Sequence, residues 1–389
     1  MSGLSGGGPC CRTTLNNEPP GLNSLEVSIF GPGKGESVVV HLGANKWIIV
    51  DSCVDASDDT LPAVRYLKSI GVSVENDVLM VLGTHAHDDH IVGISRVLDE
   101  CKSAFYACSS ALVQEDFAAV LEEDLQAELG LRKSSYSEFR KVNDITNERR
   151  IAANGKRFMK RAVEDLPLLD LQINSGLCRV TALSPSHEAV TRMIHKLAGA
   201  NVVIAGKPRR PFRGDPNESS VALWIESLGH RVLLGADLLK GPSGCGWSGI
   251  LTEFSPVERA SLFKVPHHGA PNADEEMVWQ KLLIPDPVAL LAPYRAGRNP
   301  RPNRTDIERI SQRTSQAFIT ASPDVRASRS RVKKQKVAFG NLAMNVRQTG
   351  KVGQVRARIQ LGESKWNIEL LAPAQELSSA GRSTRGRNS

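Results

Sequence analysis

Short apolar runs broken by polar or glycine-rich turns fill the first ninety residues. "LEVSIF" (25–30), "SVVVHLG" (37–43) and "KWIIVDS" (46–52) read as three β-strands rich in β-branched side chains. Between the first two, "GPGKGES" (31–37) holds three glycines, which permit a tight turn with positive φ. "DTLPAVRYLKSIGV" (59–72) has helical spacing, and "DVLMVL" (77–82) is a buried strand running straight into "GTHAHDDHIVG" (83–93). Later strands are "CRVTALSP" (178–185), "SSVALWIES" (219–227), "HRVLLGAD" (230–237), "SLFKVPHHGA" (261–270) and "PVALLAPY" (287–294). "RTDIERISQRT" (304–314) reads as a helix, and "VRARIQL" (355–361) with "KWNIELLAP" (365–373) as a hairpin. Residues 110–170 read as a solvated helical insertion, with acidic stretches followed by basic ones. Alternating strands and helices predict an α/β protein.

Composition narrows the class. The chain has 389 residues, 41% apolar and 23% charged, which is the balance of a globular protein. No apolar run approaches the roughly 18 residues of a membrane span. The first 23 residues lack a hydrophobic core segment and read as a flexible lead-in rather than a signal peptide. Residues 376–389, rich in Ser, Arg and Gly, are expected to be a disordered tail. Seven irregularly spaced cysteines argue against a disulfide framework and for a reducing, cytoplasmic setting without a membrane partner.

Charge changes the picture further. Ten Lys/Arg against the single acid Asp324 lie between Ser322 and Arg358, so the net +7 is a local excess. A local excess points to a polyanionic partner. Two arginine-bearing loops add to it: Lys207, Arg209, Arg210 and Arg213 before "GDPNESS", and Arg295, Arg298, Arg301 and Arg304 after "PVALLAPY". Arginine suits bidentate phosphate contacts. Phe339 is the one aromatic residue within the basic stretch, so base stacking is not indicated.

The chemistry concentrates at 85–90. His85 and His87 stand two apart after a strand, and Asp89 and His90 follow at once. Imidazole and carboxylate together suit zinc, manganese or iron. Burying that many such groups without a metal is costly. Asp237 at the end of one strand, and His267 and His268 after another, supply the further ligands a two-metal site needs. Either histidine of that pair fits, with His267 favoured as ligand and His268 as a catalytic or substrate-facing group.

The order T-H-x-H-x-D-H (84–90), G-x-D (235–237) and K-V-P-H-H-G (264–269) resembles the metallo-β-lactamase fold. More narrowly it is similar to the hydrolase domain of ComEC-type competence proteins. Gly33-Lys34-Gly35-Glu36-Ser37 matches that branch's G-x-G-D-S turn, Ile49-Val50-Asp51 its "ID" strand end, and Asn217-Glu218-Ser219-Ser220-Val221-Ala222-Leu223 its N-x-x-S-x-V-L strand. The resemblance covers residues 24–310 and implies an αββα sandwich with a dinuclear metal site, within a hydrolase domain spanning 24–375 that includes the helical insertion and the basic segment 322–358. His85, His87, Asp89, His90, Asp237 and His267 would hold two divalent ions, zinc or manganese, with Asp89 and His268 in catalytic roles. Asp51, Asn217 and Ser220 would orient them from behind.

Three positions depart from the pattern. Many such hydrolases carry a histidine about 20 residues before the bridging aspartate, and Asn217 stands there; Asp215, Asn217 or water would complete that shell, with His187 as a substitute. Ala236 is inserted in the usual G-D, and Arg301 stands where a later histidine is expected.

The expected reaction is hydrolysis of a nucleic-acid phosphodiester by a water activated between two ions. Alternatives are a small-molecule hydrolase (of a lactone, thioester or cyclic nucleotide) and a non-catalytic nucleic-acid-binding protein with a degenerate site.

Overall fold

A computed structural model describes residues 18–112, 134–173, 176–201, 214–295, 299–323 and 352–382. Its strands are β1 (Ser24–Gly31), β2 (Ser37–His41), β3 (Trp47–Val50), β4 (Val78–Gly83), β5 (Phe105–Ser109), β6 (Met159–Ala162), β7 (Leu166–Ile173) and β8 (Gly176–Ala182). They continue with β9 (Leu223–Ser227), β10 (His230–Leu234), β11 (Ala260–Lys264), β12 (Leu283–Leu291), β13 (Ala317–Ile319), β14 (Gly353–Gln360), β15 (Asn367–Leu371) and β16 (Gln375–Glu376). Two eight-stranded sheets result, ordered β15-β14-β1-β2-β3-β4-β5-β6 and β16-β13-β12-β11-β10-β9-β8-β7. Both are mixed: β3 to β6 and β10 to β13 run parallel, and the rest of each sheet is antiparallel.

Strand alternation sorts side chains between layers. Leu25, Val27 and Ile29 of β1 with Val38 and Val40 of β2 enter the core between the sheets, beside Val232 and Leu234 of β10. Val39 and Ile49 point the other way, onto Leu67, Ile94 and Leu98 of the outer helices Pro62–Ser69 and Ile94–Glu100. Leu233 and Phe263 of the second sheet pack likewise on Trp247, Trp279 and Ile307, from helices Gly246–Glu253, Glu276–Lys281 and Arg304–Arg313. The architecture is an α/β sandwich: helices, sheet, sheet, helices.

The expected hairpin is β14 and β15, and β14 also pairs antiparallel along all of β1, from Ser24↔Gln360 to Gly31↔Gly353. Two expectations need correction. The span 110–170 is not helical throughout: among its described residues, Ser134–Ala152 is a helix, whereas β6 and β7 extend both sheets. Both are edge strands; β6 has the polar composition of a solvated helix, whereas Leu168 and Ile173 of β7 enter the core between the sheets. The tail is ordered at its start, where Leu377–Arg382 is helical and Leu377 is completely buried on the outer face of the second sheet. The described cysteines Cys53, Cys101, Cys108, Cys178 and Cys245 are free and buried. No helix among the described residues is long and apolar enough to cross a membrane.

Candidate metal centre

The site lies where β3, β4, β10 and β11 end, the carboxyl ends of neighbouring strands, where loops converge over a rigid sheet edge. Asp51 leaves β3 in the left-handed region (φ 60°), which aspartate tolerates better than most side chains. That turn aims its carboxylate at the loop after β4. Oδ1 accepts from Thr84 N at 2.8 Å, and Oδ2 accepts from Thr84 Oγ1 at 2.8 Å and from His90 Nδ1 at 2.7 Å. The glycine turn before β2 presses on the same loop. At Gly35 (φ 130°) a Cβ would stand 2.2 Å from the Asp89 carbonyl oxygen, and the Glu36 N–H donates to that oxygen at 2.9 Å.

His85, His90 and His268 each have Nδ1 occupied, which leaves Nε2 for the site. His90 Nδ1–H is held by Asp51, and His268 Nδ1–H donates to the Ala292 carbonyl at 3.0 Å. Because Thr84 Oγ1 gives its proton to Asp51, it accepts from His85 Nδ1 at 2.9 Å. The free Nε2 atoms of His90 and His268 face two carboxylates. His90 Nε2 lies 3.3 Å from Asp237 Oδ2 and 3.9 Å from Asp89 Oδ2; His268 Nε2 lies 3.6 Å and 3.2 Å from the same atoms. Ligands at about 2.0–2.1 Å on a tetrahedral ion stand about 3.3 Å apart. The four histidine–carboxylate separations, 3.2 to 3.9 Å, lie around that value, and the donor atoms of all four residues are within 4.8 Å of one another. His85 Nε2 and His87 Nδ1 form a second pair, 3.1 Å apart.

The electrostatics also ask for a cation. Glu36, Asp51 and Asp237 are buried, Asp89 is partly so, and the buried cation facing them is Lys264. Its Nζ pairs with Glu36 Oε1, donates to the Ala236 carbonyl at 2.8 Å and lies 3.7 Å from Asp237 Oδ1. Burial alone would lower the pKa of His90 and His268, but Asp237 and the surrounding carboxylates outweigh it and hold both above the ordinary histidine range. Burial likewise opposes the charge on Asp237, yet His90 and His268 pull its pKa well down. His85 is the reverse: burial first, then His90 and His87, push its pKa well below the usual value. Buried Glu36 Oε2, His90 Nε2, Asp237 Oδ1 and Asn217 Oδ1 have no hydrogen-bond partner. Orphaned donor atoms, surplus negative charge and tetrahedral spacing together fit a divalent metal.

Against expectation, His268 is the histidine brought to Asp89, His90 and Asp237. His267 instead donates from Nδ1 to Asn272 Oδ1 at 2.9 Å, with Nε2 3.5 Å from Asn217 Nδ2. Both residues have left-handed backbone (φ 48° and 53°), and in this tight turn the His268 imidazole is the one that faces inward. Ser220 Oγ lies 3.3 Å from His85 Nδ1 and accepts from Asp237 N at 3.2 Å. Ala236 presents its carbonyl to Lys264 Nζ and to His267 N, so the extra residue in G-x-D anchors both. His187 is exposed at a helix start, its N–H held by Glu164, and does not fill the vacant third-ligand place.

Of the arginines expected to bind phosphate, the two described ones have protein partners. Arg295 donates to the Ser322 carbonyl, and Arg301 donates to Asp306 Oδ2 at 2.7 Å within the capping box of Arg304–Arg313. Arg209, Arg210, Arg213 and Arg298 lie outside the described residues, as do basic residues 326–351. Arg356 and Arg358 are in β14, paired with Glu369 and Glu26. Glu36, Thr84 and Lys264 had no expected role, although each sits inside one of the motifs that carry the resemblance.

No family model matches the chain, and no curated protein matches it. Solved structures that match include the metallo-β-lactamase fold protein YhfI from Bacillus subtilis, at 14% identity over 62% of this chain and 70% of that one, TM-score 0.29. Metallo-β-lactamase SMB-1 bound to 2-mercaptoethanesulfonate matches at 13% identity over 68% and 85%, TM-score 0.35. A variant of the CmlA β-hydroxylase matches at 12% identity over 77% of this chain and 43% of that one, TM-score 0.32.

Proposed function

We propose that the protein is a metal-dependent hydrolase of the metallo-β-lactamase type that cleaves phosphodiester bonds in nucleic acid. The observation that carries the hydrolase reading is the convergence of Asp89, His90, Asp237 and His268, with lone pairs freed by their outer partners. Those four residues would hold one ion, and His85 with His87 a second. A bound divalent ion lowers the pKa of a water toward neutrality and neutralises charge on the group under attack. The protein's own part is orientation. Asp51 and Thr84 fix the ring of His90 and the tautomer of His85, while Lys264 balances Glu36 and steadies Asp237. No serine or cysteine nucleophile is required.

The nucleic-acid substrate is supported by the local basic excess of the sequence, eight of whose ten Lys/Arg lie between 326 and 351. A second reading, a small ester or cyclic phosphodiester, is favoured by Arg295 and Arg301 already being engaged beside the site. The test is to purify wild type and His87→Ala/Asp89→Ala, quantify bound zinc and manganese, and incubate both with labelled single- and double-stranded DNA and RNA. Metal-dependent cleavage lost in the variant is the expected result. Bound metal without cleavage of any nucleic acid would move the substrate to the second reading, and little bound metal would overturn the hydrolase.

A further inference from the structure

The two halves of the site are unequal, and Asn217 is the reason. Asp89, His90, Asp237 and His268 offer four donors mutually within 4.8 Å, enough to close a tetrahedral shell. His85 and His87 belong to no such group of three His, Cys, Asp or Glu donors among the described residues. What borders them is the turn Pro216–Ser219 and its flanks. Ser220 Oγ touches His85 Nδ1 at 3.3 Å, and Asp215 Oδ1 lies 4.0 Å from His87 Nε2. Asn217 stands between Asp215 and Ser220 in the chain, its N–H held by Asp215 Oδ1 at 3.0 Å and its Nδ2 3.5 Å from His267 Nε2. Its side chain is 3% exposed, and its Oδ1 has no hydrogen-bond partner. A buried carboxamide oxygen left unpaired costs free energy unless something else satisfies it.

We infer that the protein binds two metal ions of very different affinity: a tight one at Asp89, His90, Asp237 and His268, and a weak, exchangeable one at His85 and His87 completed by the Asn217 carboxamide oxygen. This rests on the proposed metal-dependent site. A neutral amide oxygen is a poorer ligand for zinc than an imidazole nitrogen, which selects the His85/His87 ion as the labile one. Its shell also has the fewer protein donors, so it is the position with room for water and substrate.

The direct test is titration of metal-depleted full-length protein with Zn²⁺ against a chromophoric chelator, with folding of every variant checked by circular dichroism. Wild type is expected to show two classes of site differing at least 100-fold. Asn217→His should tighten the weak class at least 10-fold without moving the tight class, and the isosteric Asn217→Asp, which adds a charged oxygen, should tighten it too. His268→Ala should abolish the tight class. Two equal tight sites in wild type would overturn the inference while leaving the hydrolase reading standing. So would a weak class indifferent to both Asn217 variants but lost in His267→Ala, which would assign the third ligand to His267. Absence of any zinc binding would overturn both readings together.

Discussion

Two buried charged clusters touch the first sheet, and only one of them asks for a ligand. The cluster on β1 and β14 is balanced in charge. Glu26 Oε1 accepts from Ser28 Oγ at 2.7 Å and Tyr66 OH at 2.6 Å, its Oε2 accepts from Arg358 Nε at 2.7 Å, and Arg356 pairs with Glu369. Two carboxylates meet two guanidiniums, and both oxygens of Glu26 have donors. The cluster at the ends of β3, β4, β10 and β11 sets Glu36, Asp51, Asp89 and Asp237 against Lys264, with Glu36 Oε2 and Asp237 Oδ1 unmet. Burial is similar in the two; balance is not. Surplus charge with unmet lone pairs marks a site, and a balanced network marks scaffold.

Substitutions that separate affinity from stability put this contrast at risk. The largest effect is expected at Asp237→Asn: loss of one charged ligand should weaken zinc binding roughly 100- to 1000-fold, a ligand's share of a tetrahedral site's binding energy. Chelator competition measures it, and an affinity within a factor of a few of wild type would remove Asp237 from the site. Glu26→Gln is the mirror experiment. Breaking one partner of a buried charged network should cost about 3 kcal/mol of stability, read from the urea midpoint, with zinc affinity unchanged.

His41 extends the scaffold comparison to pH. It stands opposite Glu26 in the β1–β2 pair, and burial, aided by the Arg358 charge, lowers its pKa to about 4. The folded state therefore keeps His41 neutral while the unfolded chain protonates near 6.5. Its contribution is intact above pH 6.5, is lost as pH falls toward 4, and is constant below that. The whole loss is about 3 kcal/mol, from 1.36 kcal/mol per pKa unit. His41→Gln should flatten the stability profile of metal-depleted protein between pH 6.5 and 4, and an unchanged slope would refute the assignment. The smallest effect is expected at Asp51→Asn, which spoils the orientation of His90 without removing a ligand and should weaken zinc roughly 10- to 100-fold.

Much of this was legible in the chain. Apolar runs rich in β-branched residues located β1 to β4 and β8 to β12, because both faces of these strands enter a core. The histidine motif was legible because its donors are nearly contiguous, so no long-range folding is needed to bring His85, His87, Asp89 and His90 near one another. β6 was not legible, since an edge strand with exposed Lys160 and Arg161 has the composition of a solvated helix.

The sequence by itself determined the kinds of donor available, the loops that carry them and the alternation that buries two sheets face to face. The tertiary structure decided which donors meet. Adjacent His267 and His268 are indistinguishable as letters; the backbone torsions of one tight turn send the second inward and the first toward Asn217. Arg301, Arg356 and Arg358 count as charge in the sequence, but the carboxylates that engage them come from a helix turn and neighbouring strands. The physical reason is the same throughout. Chemistry of a side chain is local, whereas its partner is set by pairings such as β1 with β14, more than 300 residues apart in the chain.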